Sequence, residues 1–321
     1  MTGFRAGEES GSWGPACHAG GVEDGLTAEL RLPSPVVEIR DDRLASAGVR
    51  VLLKRDDLIH PEVPGNKWRK LKYNIATARE LGFETLLTFG GAYSNHLRAT
   101  AAVGAYCGFG TIGVVRGEEH LPLNSSLRYA VSRGMRLTYV DRTTYRAKTS
   151  DVVVKALHQE FGEFYLIPEG GSNADAVRGC AELPAELDAS VDVVFCAVGT
   201  GGTLAGVAAG LRRDQLVIGV PVLKGGAFLE GDILALQEQV YGARAGSWRL
   251  ECEYHFGGYA QRTPELDEFI DDFEVRHGLR LDWVYEAKMM YALFDQSARH
   301  AFSRGTTIVG LISGSADVPD A

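Results

Sequence analysis

The sequence predicts an α/β protein built on two doubly wound, mostly parallel sheets, and three observations carry that expectation. Short β-branched runs alternate with helical periodicity from Val49 onward. The strand candidates are separated by helix-length stretches, which a hairpin turn cannot supply. The roughly ten resulting units exceed what one compact layer holds.

Taken in order, residues 50–54 (RVLLK) read as the first strand of the alternation. Residues 67–81 carry apolar side chains at 68, 71, 75 and 78 and stop at Gly82, a residue suited to the position after a helix, with Asn66 as the expected N-cap. Further strands are expected at 84–89, 111–115, 135–140, 163–167, 191–198, 216–223, 281–285 and 306–312. Helices fall between them, among others at 95–107, 124–133 (opening at Asn124), 149–161, 174–187, 203–213 and 286–300. Residues 1–25 are rich in Gly, Ser and Glu and are expected to form a flexible tail.

Composition narrows the function. With 45% hydrophobic and 23% charged residues over 321 positions, the chain has ample material for a core. Its 33 Lys+Arg against 42 Asp+Glu leave a net charge of −9, so nucleic acid is not an expected partner. Five cysteines without CxxC spacing argue against a disulfide framework and a structural zinc site; a reducing cytoplasm fits, and no metal is expected. The longest uncharged stretch, 193–211, is broken by GTGGT, and the start lacks a basic segment followed by an apolar one. Neither a membrane span nor a secretion signal is expected.

Four glycine-containing motifs stand out. Residues 108–113 match the dinucleotide pattern GxGxxG, but a helix precedes them and a strand follows, so they read as a helix-to-strand turn. Gly199, Thr200, Gly201, Gly202 and Thr203 follow an apolar strand and open a helix, the setting in which backbone N–H groups cradle a phosphate. The Lys-Ser/Thr of a nucleotide-triphosphate loop is absent, which points to a smaller phosphorylated cofactor. Residues 65–70 (GNKWRK) put Lys67 at the positive end of a helix, where an amine loses its proton more easily, although a solvated basic first turn is the plainer reading. Residues 90–96 (GGAYSNH) gather Ser94, Asn95 and His96 at the carboxyl end of a strand, where α/β sheets bind ligands, though Ser and Asn are also ordinary helix caps.

Six segments in this order, KRDDLIHPEVPGNKWRKL, LLTFGGAYSNHLRATAAV, YLIPEGGSN, AVGTGGTLAG, FGGYAQRTPEL and VYEAKMMYALFD, resemble the fold-type II pyridoxal-phosphate enzymes. More closely, the chain is similar to the 1-aminocyclopropane-1-carboxylate deaminase and D-cysteine desulfhydrase family, from about residue 27 to 314. The resemblance implies a tryptophan synthase β-like homodimer with pyridoxal 5'-phosphate between the sheets. Its large domain would comprise 26–69 and 181–321, and its small inserted domain 70–180. By position it implies that Lys67 carries the cofactor, that Lys70 is a nearby base, and that Asn95 meets the pyridine hydroxyl. Ser94, with Asn95 and His96 beside it, would bind the substrate carboxylate and shuttle a proton. The loop from Gly199 to Thr203 would hold the phosphate, Tyr259 and Tyr285 would line the pocket, and Glu286 or Ser313 would face the pyridine nitrogen.

The pocket is a hybrid of the family's two branches. His96 follows the desulfhydrase branch, whereas Glu286, in Tyr285-Glu-Ala-Lys288, follows the deaminase branch, and the usual C-terminal His-Thr-Gly-Gly is Ile312-Ser-Gly-Ser315. The implied activity is a lyase or deaminase of a small amino acid that releases a 2-oxo acid and ammonia. D-Cysteine is expected ahead of 1-aminocyclopropane-1-carboxylate; β-replacement, or cofactor binding without turnover, are the rivals.

Overall fold

Continuous apolar runs mark the strands that have both faces covered: Val193–Val198 and Thr307–Ile312 are buried almost throughout. In the computed structural model, which describes Leu26 and residues 29–314, the strands are β1 (Val36–Ile39), β2 (Arg50–Arg55), β3 (Thr85–Gly90), β4 (Gly110–Arg116), β5 (Met135–Val140), β6 (Tyr165–Ile167), β7 (Val193–Val198), β8 (Leu216–Pro221), β9 (Trp248–Leu250) and β10 (Thr307–Ile312). The tail expected over 1–25 lies outside the described residues. The strands form a six-stranded sheet in the order β1-β2-β10-β7-β8-β9 and a four-stranded sheet in the order β5-β4-β3-β6. Every pairing is parallel except that of edge strand β1 with β2.

Helices cover both faces of each sheet. They are α1 (Asp42–Ala47), α2 (Asn66–Glu80), α3 (Asn95–Cys107), α4 (Ser125–Ser132), α5 (Arg142–Arg146), α6 (Asp151–Phe161), α7 (Ala174–Cys180), α8 (Gly202–Gly210), α9 (Leu229–Tyr241), α10 (Pro264–His277) and α11 (Glu286–Ala298). On one side of the large sheet, Met289, Met290 and Leu293 of α11 meet Val51, Phe195 and Ile308; on the other, Leu204, Val207 and Ala208 of α8 meet Val194, Cys196 and Val309. In the small sheet, Trp68, Leu71 and Ile75 of α2 pack with Leu86 and with Ala99 and Val103 of α3, while Leu157 of α6 joins Leu87, Phe89 and Ile112 on the opposite face.

Several expectations are corrected. Residues 281–285 are a turn, not a strand: Asp282 Oδ1 accepts from the N–H groups of Val284 and Tyr285, and that turn leads into α11. The helix expected over 174–187 stops at Cys180, and a 3₁₀ turn with an early proline follows at Leu183–Glu186. β9, α5, α9 and α10 lie inside intervals that the strand-helix alternation leaves unassigned, and β1 and α1 precede its start at Val49. The GxGxxG at 108–113 is the helix-to-strand turn, with Gly108 in the left-handed region closing α3. Among the described residues, no helix is long and apolar enough to cross a membrane.

A buried ionic network anchors α2. Arg69 Nε and Nη2 donate to the two Asp56 carboxylate oxygens at 2.6 and 2.8 Å, and Arg69 Nη1 donates to Glu186 at 2.8 Å. Lys54 Nζ donates to Glu186 at 2.6 Å and to the Ser34 carbonyl at 2.7 Å. Removing one member would strand its partners in a medium that solvates charge poorly, so the first turn of α2 is fixed in position against β2.

Candidate active site

The start of α2 requires its glycine. Gly65 has φ +64°, and a Cβ there would lie 1.5 Å from the Ser313 carbonyl oxygen, so the end of β10 passes directly against α2. Asn66 is not the N-cap; it is the first helical residue and Gly65 precedes it. Its side chain reaches α8 instead. Asn66 Nδ2 donates to Thr203 Oγ1 at 2.9 Å, and Asn66 Oδ1 accepts from Lys67 Nζ at 3.0 Å.

Both lysines of this turn sit among neutral acceptors. Burial pushes the Lys67 ammonium down to about 7; nearby Lys70 lowers it further and Glu286 opposes the shift. Lys70, one turn on, donates to the Gly170 carbonyl at 2.9 Å and to Ser172 Oγ at 3.2 Å, and burial lowers its proton affinity as well. The solvated basic turn that composition favoured is absent, because Arg69 and Lys70 are buried and Lys67 is half-buried.

The 199–203 loop turns from β7 into α8. Gly201 has φ +83°, and no side chain caps the first N–H groups of α8, which leaves them open to an anion. Ser172 closes the loop from the small-sheet side: its Oγ lies 2.6 Å from Thr200 Oγ1, and a Cβ on Gly202 would come within 2.6 Å of it.

Glu286 does not open a solvated helix face, since it is only 2% exposed. Its Oε1 accepts from Ser313 N at 3.2 Å and Ser313 Oγ at 2.9 Å, whereas Oε2 is buried without a hydrogen-bond partner. Burial raises its carboxyl well above the usual range, and the Asp282 carboxylate adds to the shift. Tyr285, just before it, packs against Gly199 and donates to the Tyr259 hydroxyl at 3.4 Å, with the rings edge-to-face at 6.2 Å. Tyr285 is half-buried, and its phenol is pushed well above its ordinary value, while Tyr259 is 50% exposed.

The Ser-Asn-His segment divides. Ser94 Oγ caps α3, accepting from Leu97 N at 3.3 Å, and Asn95 is the half-buried first residue of that helix. Among the described residues no hydrogen bond ties either to Lys67. His96 turns inward. Thr88 Oγ1 gives its proton to the Ile167 carbonyl at 2.8 Å, so the 2.9 Å bond between Thr88 and His96 takes its proton from His96 Nε2. Burial, with Lys67 and Lys70 nearby, holds His96 well below its usual pKa, and its Nδ1 is a buried acceptor with no partner. A Cβ on Gly171 would lie 2.9 Å from the His96 ring, which places the imidazole beside the turn that receives Lys70.

Three residues escaped the reading of the sequence as members of the site. In the sequence Asn66 reads as a helix cap, Ser172 lies within the YLIPEGGSN segment without a signal of its own, and Asp282 falls in an expected strand. Only the polar neighbours of Lys67 and of the loop signalled the first two.

The donor set suits pyridoxal phosphate. A phosphate dianion matches uncapped helix N–H groups, threonine hydroxyls and a buried cation, an aldehyde matches an amine poised near neutrality, and a ring nitrogen matches the unpartnered Glu286 Oε2. The profile of the pyridoxal-phosphate dependent enzymes matches residues 28–314. A Thermotoga maritima protein provisionally named 1-aminocyclopropane-1-carboxylate deaminase is 33% identical over 82% of this chain and 88% of its own. One of the same name from Pyrococcus abyssi is 31% identical over 77% of this chain and 79% of its own. The D-cysteine desulfhydrase of Salmonella paratyphi A is 30% identical over 84% and 88%. A crystal structure of a 1-aminocyclopropane-1-carboxylate deaminase homologue superposes with a TM-score of 0.76 at 26% identity, covering 92% of this chain and 95% of that one.

Fold, donor set and profile together define a fold-type II pyridoxal-phosphate-dependent enzyme. Within that class, the chain belongs to the 1-aminocyclopropane-1-carboxylate deaminase and D-cysteine desulfhydrase family.

Proposed function

We propose that this enzyme deaminates a small α-amino acid to a 2-oxo acid and ammonia, with ring opening of 1-aminocyclopropane-1-carboxylate ahead of desulfhydration of D-cysteine. The observation that carries this order is Glu286, whose buried Oε2 receives no protein N–H or hydroxyl donor while its Oε1 takes both Ser313 donors. Bound pyridoxal phosphate supplies the electron sink. Glu286 would hold a proton for the pyridine nitrogen and so deepen that sink, which a substrate without an α-proton needs most. The sequence alone weighed D-cysteine first; the relatives named for the deaminase support the reversed order.

In this reading Lys67 would hold the cofactor through its amine and, when free, would move a proton at or near Cα. Residues Gly199 to Thr203 would hold the phosphate, Lys70 would stand beside the cofactor as a base, and Asn95 would meet the ring hydroxyl. Ser94, Asn95 and His96 receive the substrate carboxylate, with Ser94 as proton shuttle once its hydroxyl leaves the helix cap. Tyr259 and Tyr285 limit side-chain volume and present hydroxyls near Cβ. The assembly is read as a cytoplasmic homodimer, with residues 70–180 as the inserted domain and the rest of 26–321 as the large one. The second reading, D-cysteine, rests on His96, which follows the desulfhydrase branch.

The test incubates protein loaded with pyridoxal phosphate with 1-aminocyclopropane-1-carboxylate, D-cysteine and β-chloro-D-alanine and measures 2-oxobutanoate, pyruvate and ammonia. 2-Oxobutanoate from the cyclopropane is expected. Pyruvate from the D-amino acids with no action on the cyclopropane reverses the order, and a new amino acid on adding a thiol assigns β-replacement. No turnover across a broad amino-acid panel, with the cofactor retained, makes the protein a binder.

A further inference from the structure

Lys288 is fully buried in the first turn of α11, between Ala287 and the core methionines Met289 and Met290. Its ammonium donates to three backbone carbonyls: Gly258 at 2.7 Å, His255 at 2.9 Å and Val222 at 3.2 Å. Three donors meet three acceptors, so the charge is satisfied without a carboxylate in contact. Two of those carbonyls belong to a strained turn. Phe256 and Ala260 are non-glycine residues at φ +50°, and Gly257 and Gly258 also have positive φ. The turn's internal bonds are few: Gly258 N to the His255 carbonyl, Gly257 N to His255 Nδ1, and Gln261 N to the Gly258 carbonyl. Such a backbone persists only where its surroundings hold it.

What the turn carries is Tyr259, and what α11 carries is Tyr285 with Glu286. We propose that Lys288 is a positioning residue of the active site: one ammonium binds the turn bearing Tyr259 to the helix bearing Tyr285, and thereby sets the spacing of the two pocket tyrosines. The third carbonyl, Val222 at the end of β8, fixes this pair to the sheet. The proposal rests on the reading of both tyrosines as substrate-side residues, but the clamp itself can be tested without a substrate.

The clamp needs the ammonium, because a neutral amine has two N–H groups and a lone pair that would face the third carbonyl. Burial pulls Lys288 down to about 8, and Asp282 in the turn before α11 opposes that shift. The other titratable groups on the elements packed there are Glu286, Tyr291 and Asp295 on α11, Cys252, Glu253, Tyr254, His255 and Tyr259 on the turn segment, and Lys224, whose Cβ lies beside Gly258.

The experiment is hydrogen–deuterium exchange on the protein loaded with pyridoxal phosphate, comparing wild type with Lys288→Met. Exchange over 252–261 is expected to rise at least tenfold while α2 and α8 stay protected. KM for the better of the two substrates above is expected to rise about tenfold, with kcat falling less. Unchanged exchange in 252–261, or a rise spread over the whole chain, overturns the clamp. Local loosening with KM unchanged keeps the clamp and overturns its role in the pocket. Where Lys288→Met does not fold, wild type between pH 7 and 10 serves instead, with exchange corrected for intrinsic rate. Loosening confined to 252–261 with a midpoint near 8 supports the proposal, and its absence overturns it.

Discussion

Asn66 joins two parts of the site through one amide: its Nδ2 donates to Thr203 Oγ1 and its Oδ1 accepts from Lys67 Nζ. Lys67 and the first turn of α8 therefore have a fixed relation before any ligand arrives. In Asn66→Ala the loop and lysine should each survive while their alignment is lost. Pyridoxal-phosphate affinity is expected to fall about tenfold, equivalent to ~1.4 kcal/mol, with thermal stability within about 1 kcal/mol of wild type. Unchanged affinity by equilibrium dialysis would show that the link is incidental.

The depressed proton affinity of Lys67 gives a pH signature. Its amine form grows as pH rises through about 7 rather than near the ordinary 10.5, so covalent capture of pyridoxal phosphate by cofactor-free protein should accelerate between pH 6 and 8. Borohydride reduction followed by peptide mapping is expected to locate the cofactor on Lys67, and Lys67→Arg should abolish capture. Label on Lys54 or Lys70 would refute the assignment.

Gly201 tests the phosphate loop. Its φ of +83° disfavours any side chain, a Cβ would meet Ile233 at 2.7 Å, and a carboxylate would repel phosphate. Gly201→Asp is expected to weaken cofactor retention by at least a hundredfold, on the order of 3 kcal/mol. A folded variant with normal retention would remove the loop from the site.

How much of this was legible depended on how local each signal was. The strands β3, β4, β7 and β10 and the helices α2 and α3 announce themselves by periodicity within one window, and their carboxyl ends then locate the glycine loops. β9 is three residues long and β1 four, too short for alternation to register, and residues 281–285 carry strand-like composition although Asp282 folds them into a turn. Candidate site residues stood out in the sequence wherever their motif was contiguous. The Asn66 to Thr203 bond spans 137 residues and the Lys288 to Gly258 bond 30, and no local pattern encodes either. Glu286 shows the same limit. Its sequence position, at a helix start, suits a solvated carboxylate, and only the return of β10 with Ser313 buries it.

That burial makes Glu286 a cost to the cofactor-free protein, and the sign can be worked out. Its folded pKa is raised above the ordinary 4.5, so the folded state binds more protons than the unfolded state above that value. The contribution to stability is fully present below about 4.5 and is lost as pH rises through the folded value. Glu286→Gln keeps an oxygen for the two Ser313 donors and removes the charge. Cofactor-free Glu286→Gln should therefore match wild type at pH 4 and exceed it by about 2 kcal/mol at pH 9 in denaturant titrations. The loaded enzyme should behave oppositely, with turnover reduced at least tenfold and pyridoxal-phosphate affinity little changed, because a neutral amide does not favour a protonated ring nitrogen. Ser313→Ala should reduce turnover less, since it removes one donor from the Glu286 oxygen that already has a second. A larger loss in Ser313→Ala than in Glu286→Gln would give the ring nitrogen to Ser313 and, with it, weaken the case for the cyclopropane substrate.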